Sequence, residues 1–401
     1  MRAAGIQNKN LPIYIVNDRR FNAFVVESGA MFVNYGTILD AQTPNALKAV
    51  LAHEIGHLAG GHLQRLKDQA DVAGKLQAIS TVLGIGVLAA AGGRDESGDI
   101  GRLVSAFVIG SASASNNAFM SYRRSEESAA DAAALTYLER TKQSPMGLVD
   151  VLNILQKNQS VRAGASPYLR THPMAEDRLN QAQNRASGSP FRNKPDRKSD
   201  IARLDLVQAK LSGYLERSAS VLNRFPNSDK SQAARYARTI AGYRAGAGAG
   251  AIKQMSALAK TAPNNPYFQE ILGQMYYETG KPSAAIKPLA RAVKINPNEH
   301  EFRMLYALAL TDTGTTKNIE EGIRQLRRAS VLAPKSARPH SILARAYAKL
   351  GDEGQADLAA AEAALLREDI PLARGLARKA QKKLVEGTPA WLRSDDILSL
   401  T

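Results

Sequence analysis

Histidine and glutamate recur at a chemically meaningful spacing in His53-Glu54-Ile55-Gly56-His57. On a helix, residues four apart lie about 40° from each other around the axis and one turn apart along it. Both imidazoles can therefore reach one metal ion. Glu54 sits beside them, close enough to hold a metal-bound water. This is the two-ligand, one-base pattern of a zinc hydrolase. The bland alternative is two exposed helical histidines. With only six histidines in 401 residues, chance is a poor source of the pattern.

Catalytic zinc takes three protein ligands and keeps one open position. The chain has no cysteine, so thiolate ligands and disulfides are excluded and the third ligand must be His or a carboxylate. The run from Arg124 to Asp131 offers one. Glu127 and Asp131 are four apart and share a helix face. Glu127 can ligate zinc, and Asp131 can accept the N–H of one zinc-bound histidine and fix its orientation. Carboxylates at this spacing are more often a solvated face. Here Ala129, Ala130, Ala132, Ala133, Ala134 and Leu135 surround them, which suggests a buried helix. Glu126, the rival ligand, points about 100° away from Glu127 and is placed outward. His62 is rotated about 140° from His57 and reads as a structural or supporting group, not a ligand. His300 and His340 look incidental.

These groups need elements to hold them. Ile13 to Val16, Ala23 to Val26 and Met31 to Tyr35 are short strand candidates, with Glu27-Ser28-Gly29-Ala30 turning between the last two. A helix then starts at Thr43, a good N-cap, with Pro44 in its first turn. Leu47, Val50, Leu51, Ile55 and Leu58 give it an apolar stripe, and Gly60-Gly61 end it. A second helix covers roughly 116–140, and 144–185 is helical with breaks near Ser166-Pro167 and His172-Pro173. Between the two zinc helices, 78–93 and 103–109 are apolar and rich in Ala and Gly. They read as two short helices or a hairpin, either a gating or membrane-touching element or an ordinary buried hairpin.

Composition fits a soluble globular chain with 44% hydrophobic and 22% charged residues, long enough for two or three domains. The net charge of +16 implies attraction to acidic surfaces such as anionic lipid or acidic clients. No nucleic-acid motif is present, so no nucleic-acid partner is expected. No signal peptide is visible in the first residues, and the abrupt start is consistent with loss of an upstream segment. Residues 186–199 have linker composition.

Beyond the linker the chain repeats. Pro226, Pro263, Pro297 and Pro334 recur at intervals of 37, 34 and 37. In the best unit Leu272, Gly273, Tyr276, Gly280, Ala285, Leu289, Ala292 and Pro297 occupy tetratricopeptide signature positions. The next unit keeps Gly314, Leu326, Ala329 and Pro334 with about three residues inserted near Thr315 to Asn318. Stacked helix pairs of this kind form a solenoid whose concave face binds protein segments.

The zinc motif followed by Arg124-x-x-Glu127-x-x-Ala130-Asp131 resembles the HtpX-like and CAAX-prenyl-protease family of gluzincin metallopeptidases. Asn22-Ala23-Phe24 and the stretch from Gly29 to Leu39 resemble that family's strands before the zinc helix. Thr171-His172-Pro173 with Arg178 resembles its C-terminal element. The hairpin at Glu27 to Ala30 departs from the family's Pro-Gly-Gly-like turn, and the family's upstream helix is missing. The resemblance implies an α+β, mostly α chain: a gluzincin domain with a small sheet over 1–185, a linker at 186–199, and an all-α tetratricopeptide solenoid over 200–401. It implies one zinc held by His53, His57 and Glu127, with Glu54 as base. His172 corresponds to a histidine that in one branch of the family occupies the open metal position, and in active gluzincins steadies the oxyanion. Arg178 is a second oxyanion candidate or a structural contact. The resemblance also implies a periplasmic protease for misfolded or unassembled envelope proteins. Its expected partners are outer-membrane β-barrel precursors, the barrel-assembly machinery, and peripherally the membrane. The competing readings are a chaperone or scaffold with a closed, self-inhibited zinc site, and a membrane-embedded protease.

Overall fold

The structure is a computed structural model, and it describes residues 1–7, 11–26, 29–62, 64–65, 115–161, 168, 172 and 176–400. The apolar segment expected to form a hairpin within 78–110 lies outside the described residues. Two compact units divide the chain, Met1–Leu215 and Glu216–Thr401. No helix among the described residues is long and apolar enough to cross a membrane.

The first unit opens with three strands, β1 (Ile13–Val16), β2 (Ala23–Val25) and β3 (Met31–Asn34). Their order is β1-β3-β2, with β1 parallel and β2 antiparallel to β3. Register pairs Tyr14 and Phe24 with Phe32 from either side. Phe32 stacks on both rings, at 5.2 Å and 5.1 Å between centroids. Such cross-strand aromatic pairs hold a short sheet in register. The opposite face, Ala23, Val25, Met31 and Val33, is buried in the domain core.

Helix α1 (Tyr35–Asp40) leads into α2 (Pro44–Gly60). Thr43 caps α2 as expected: its hydroxyl oxygen accepts from the Ala46 N–H at 3.0 Å, a contact worth about 1 kcal/mol. Helices α3 (Ser115–Arg140), α4 (Met146–Val161) and α5 (Glu176–Ser187) complete the layer around α2. Leu135, Leu138, Leu148, Leu152 and Leu155 pack with Ala46, Ala49 and Val50 of α2 in one core.

The stretch 186–199, linker-like in composition, lies inside this first unit. Ser144 Oγ donates to the Arg192 carbonyl at 2.6 Å, and the Asn45 N–H donates to Asp196 at 3.0 Å. The next helix, α6 (Lys198–Leu215), also packs here. Leu204 joins the core, and Gln208 donates to the carbonyls of Ile38 and Ala41, both at 2.8 Å. Polar composition followed solvent exposure on one side of this segment, and long-range hydrogen bonds tie down the other.

The second unit consists of helices throughout, from Ser218–Arg224 to Pro389–Ser399. The spaced prolines each follow the second helix of a pair: Thr261 is followed by Pro263, Ile295 by Pro297 and Leu332 by Pro334. Between the helices of successive pairs sit Gly280, Gly314 and Gly351, with φ of 74°, 76° and 77°, a turn conformation that favours glycine. Ala285, Leu289 and Ala292 are fully buried. The insertion near Thr315 lengthens a helix: Thr316–Leu332 has 17 residues, against 14 in Pro282–Ile295. Tyr243 OH donates to Glu278 at 2.9 Å, and Tyr277 OH to Asp312 at 2.6 Å, each 35 residues ahead. Lys349 also reaches Asp312, at 2.6 Å.

Candidate metal centre

Three parts of the first unit converge on one buried cluster. Helix α2 brings His53, Glu54 and His57; α3 brings Glu127 and Asp131; the segment between α4 and α5 brings His172. All are buried. The donor atoms of His53, His57, Glu127 and His172 lie within 4.8 Å of one another. His53 Nε2 is 3.0 Å from His57 Nε2 and 3.3 Å from His172 Nδ1. Glu127 approaches His53 and His57 at 3.3 Å each, and His172 Nδ1 at 3.0 Å. Four donors around a tetrahedral zinc, at bonds of ~2.0–2.1 Å, are themselves roughly 3.3 Å apart. The donor set and its spacing fit that ion.

The electrostatics point the same way. Burial works against a charged His53, yet the hydrogen bonds to Asp131 and Glu127 outweigh it and push its pKa up to about 10. The pull these carboxylates exert on a proton there is a pull on any cation held there. Burial lowers His57 and His172, leaving them neutral donors. Burial opposes ionisation of Glu127, but the neighbouring His172 and His57 hold it well below the usual carboxylate range. For His57, His172 and Glu127 these are the protonation states that ligate metal, whereas His53 would have to give up its proton to a bound cation.

Glu54 is 1% exposed, and burial raises its pKa to about 7. Its Oε1 has no hydrogen-bond partner among the described residues and lies 3.6 Å from His172 Nε2. A buried carboxylate with a spare oxygen and a pKa near neutrality is suited to taking and returning a proton. Asp131 Oδ1 sits 2.8 Å from His53 Nδ1. Arg178 is fully buried. Its Nε and Nη2 meet Asp131 at 2.7 Å and 3.0 Å, and its Nη1 meets Glu127 at 3.1 Å.

Gly56 explains why α2 and α3 cross so closely. A Cβ there would lie 2.9 Å from the Ala130 carbonyl oxygen and 3.3 Å from the Ala133 methyl carbon. Gly56→Val should cost roughly 1–3 kcal/mol and weaken metal binding, because the helices carrying His57 and Glu127 must part. Urea unfolding with and without chelator reads both effects. An unchanged midpoint would show that the crossing tolerates the bulk.

Residues 1–186 match the profile of peptidase family M48, and 222–362 match a tetratricopeptide repeat profile. The N-terminal domain belongs to peptidase family M48. The chain is a metalloprotease that couples an M48 domain to tetratricopeptide repeats. Two relatives align along nearly the whole chain. The β-barrel assembly-enhancing protease of Yersinia pestis is 23% identical over 385 residues, covering 95% of this chain and 77% of that protein. The Escherichia coli K12 protein of the same name is 23% identical over 388 residues, covering 95% and 76%. Metalloprotease YcaL of Escherichia coli is 29% identical over 181 residues, 45% of this chain and 63% of its own length. Membership of M48 implies a metal, and the cluster is where the described residues could hold it.

One member of the site, Tyr168, was not singled out from the sequence. Tyr168 stacks on the His172 ring at 4.3 Å, and its carbonyl accepts the His172 N–H at 2.6 Å. No pattern marks it beyond its place four residues earlier. Glu126, placed outward, instead meets His62 Nε2 at 2.8 Å and Arg65 Nη2 at 2.8 Å. His62 in turn reaches His57, Nδ1 to Nδ1, at 2.9 Å. The Gly60-Gly61 pair before His62 was the available signal, because it lets the chain fold back.

Proposed function

We propose that the chain is a zinc-dependent endopeptidase of the bacterial periplasm, acting on misfolded or unassembled envelope proteins. One zinc would be held by His53, His57 and Glu127, and His172 would close the site at rest. The observation that carries this reading is the four-donor cluster with Glu54 beside it. When bound, zinc supplies Lewis acidity that polarises the scissile carbonyl and acidifies its water. Glu54 then accepts the proton of the attacking water and returns it to the leaving amine. Asp131 holds His53 in the tautomer that leaves Nε2 free. The repeats recruit unfolded segments and raise their effective concentration at the site. The relatives' name supports outer-membrane β-barrel precursors as clients and the barrel-assembly machinery as a partner. The net positive charge of the chain suits peripheral contact with anionic lipid.

His172 favours a second reading on a specific observation. A site with four protein donors is coordinatively complete, as structural zinc sites are, and such a chain would serve as a chaperone or scaffold. Metal analysis paired with cleavage of an unfolded substrate separates the two. The wild type should carry one zinc per chain and cleave slowly. His172→Ala should cleave about tenfold faster or more, a closing preference of at least about 1.4 kcal/mol. Activity that collapses in the variant would assign His172 to oxyanion stabilisation. Activity absent from both, with zinc retained, would favour the scaffold.

A further inference from the structure

The proposed reaction leaves one buried imidazole without a task. His62 is 7% exposed and follows the zinc helix directly. Its place is built. Helix α2 stops at Gly60, and Gly61 adopts φ 64°, ψ 28°, with its N–H bonded back to the carbonyls of His57 and Leu58. This left-handed cap reverses the chain. The His62 ring then lies over Gly60, where any Cβ would run into it. Arg65 Nη1 hydrogen-bonds the Gly60 carbonyl, and Arg65 Nη2 holds Glu126 Oε2 at 2.8 Å and Oε1 at 3.0 Å.

The order of protons along this line follows from what each group can do. An ionised carboxylate only accepts, so Glu126 takes the hydrogen of His62 Nε2, 2.8 Å away. A neutral imidazole carries one N–H. His62 Nδ1 is then an acceptor, and it faces His57 Nδ1 at 2.9 Å. The His57 proton must therefore sit on Nδ1, leaving the Nε2 lone pair pointing to His53 and Glu127. We infer that His62 and Glu126 are positioning residues that fix the tautomer of His57 for metal binding, a histidine–carboxylate pair doing for His57 what Asp131 alone does for His53. Losing Glu126 frees His62 to turn its N–H toward His57 and drive the His57 proton onto the metal-facing nitrogen.

This inference rests on the zinc reading above, and zinc affinity of the full chain, measured by chelator competition, tests the two separately. A wild type that takes up no zinc sinks that reading. With zinc bound by the wild type, His62→Leu keeps the bulk and loses both polar atoms, and should bind zinc about 10–100-fold more weakly. Glu126→Ala should lose a similar factor, and the double variant little more than either, since the two act in one line. His62→Gln keeps an acceptor and a donor at comparable spacing and should stay near wild type. Leu binding as tightly as His, or Gln falling as far as Leu, would reduce His62 to a space-filling role and overturn the inference. Should the variants unfold, nitrogen-15 correlation spectra of the zinc-loaded wild type decide it: His57 must be protonated at Nδ1 and His62 at Nε2, and any other pattern overturns it.

Discussion

Glu54→Gln will lower peptide cleavage by roughly 10²–10⁴-fold while leaving zinc affinity in place. The substitution keeps shape and polarity but removes a base beside the cluster whose Oε1 has no hydrogen-bond partner among the described residues. His53, His57 and Glu127 are untouched, and the spacing of their donors does not depend on Glu54. Stability should hold or rise. Burial is the main force pushing the Glu54 carboxyl up to about 7, so its ionised form is costly in the fold and a neutral amide removes that cost. Cleavage of an unfolded protein, zinc content and the unfolding midpoint are the three measurements. Loss of cleavage with zinc and midpoint retained supports the base. Full cleavage in the variant would sink it. If cellular function survives Glu54→Gln but not removal of the repeats, recruitment outranks hydrolysis.

The second large effect concerns Arg178, and it falls on stability. Arg178→Met removes the cation that answers two buried carboxylates, Asp131 and Glu127. Breaking a buried ion pair from one side costs about 3–5 kcal/mol. For a unit of this size that lowers the melting temperature by roughly 6–20 °C. The loss should be largest under chelation, since a bound cation would offset part of the charge on Glu127. Calorimetry of wild type and variant, each with zinc and with chelator, tests this. A variant as stable as wild type but unable to cleave would place the guanidinium on the substrate instead.

Much of this site was legible because its chemistry is tied to helical period. Four-residue spacing put His53 above His57 and Glu127 beside Asp131, and those helices formed where Thr43, Pro44 and the alanine-rich face of α3 required. The strands at 13–16, 23–25 and 31–34 were likewise readable from β-branched and aromatic residues. What spacing could not convey was tertiary. Whether Glu126 faced water depended on where Gly60 and Gly61 turned the chain. The task of Arg178 depended on α5 docking beside α3. Residues 186–199 looked like a tether because composition reports polarity, and the bonds to Asn45 and Ser144 come from a distant part of the chain. The repeats were legible for a different reason: small residues and prolines recur because each helix pair solves the same packing problem.

The tyrosine-to-acid bonds of the second unit make adjacent modules share fasteners. Asp312 receives both Tyr277 from the module before and Lys349 from the module after. Loosening that carboxylate therefore slackens three consecutive modules at once, so the array should flex as a spring of linked coils and melt in blocks, not one coil at a time.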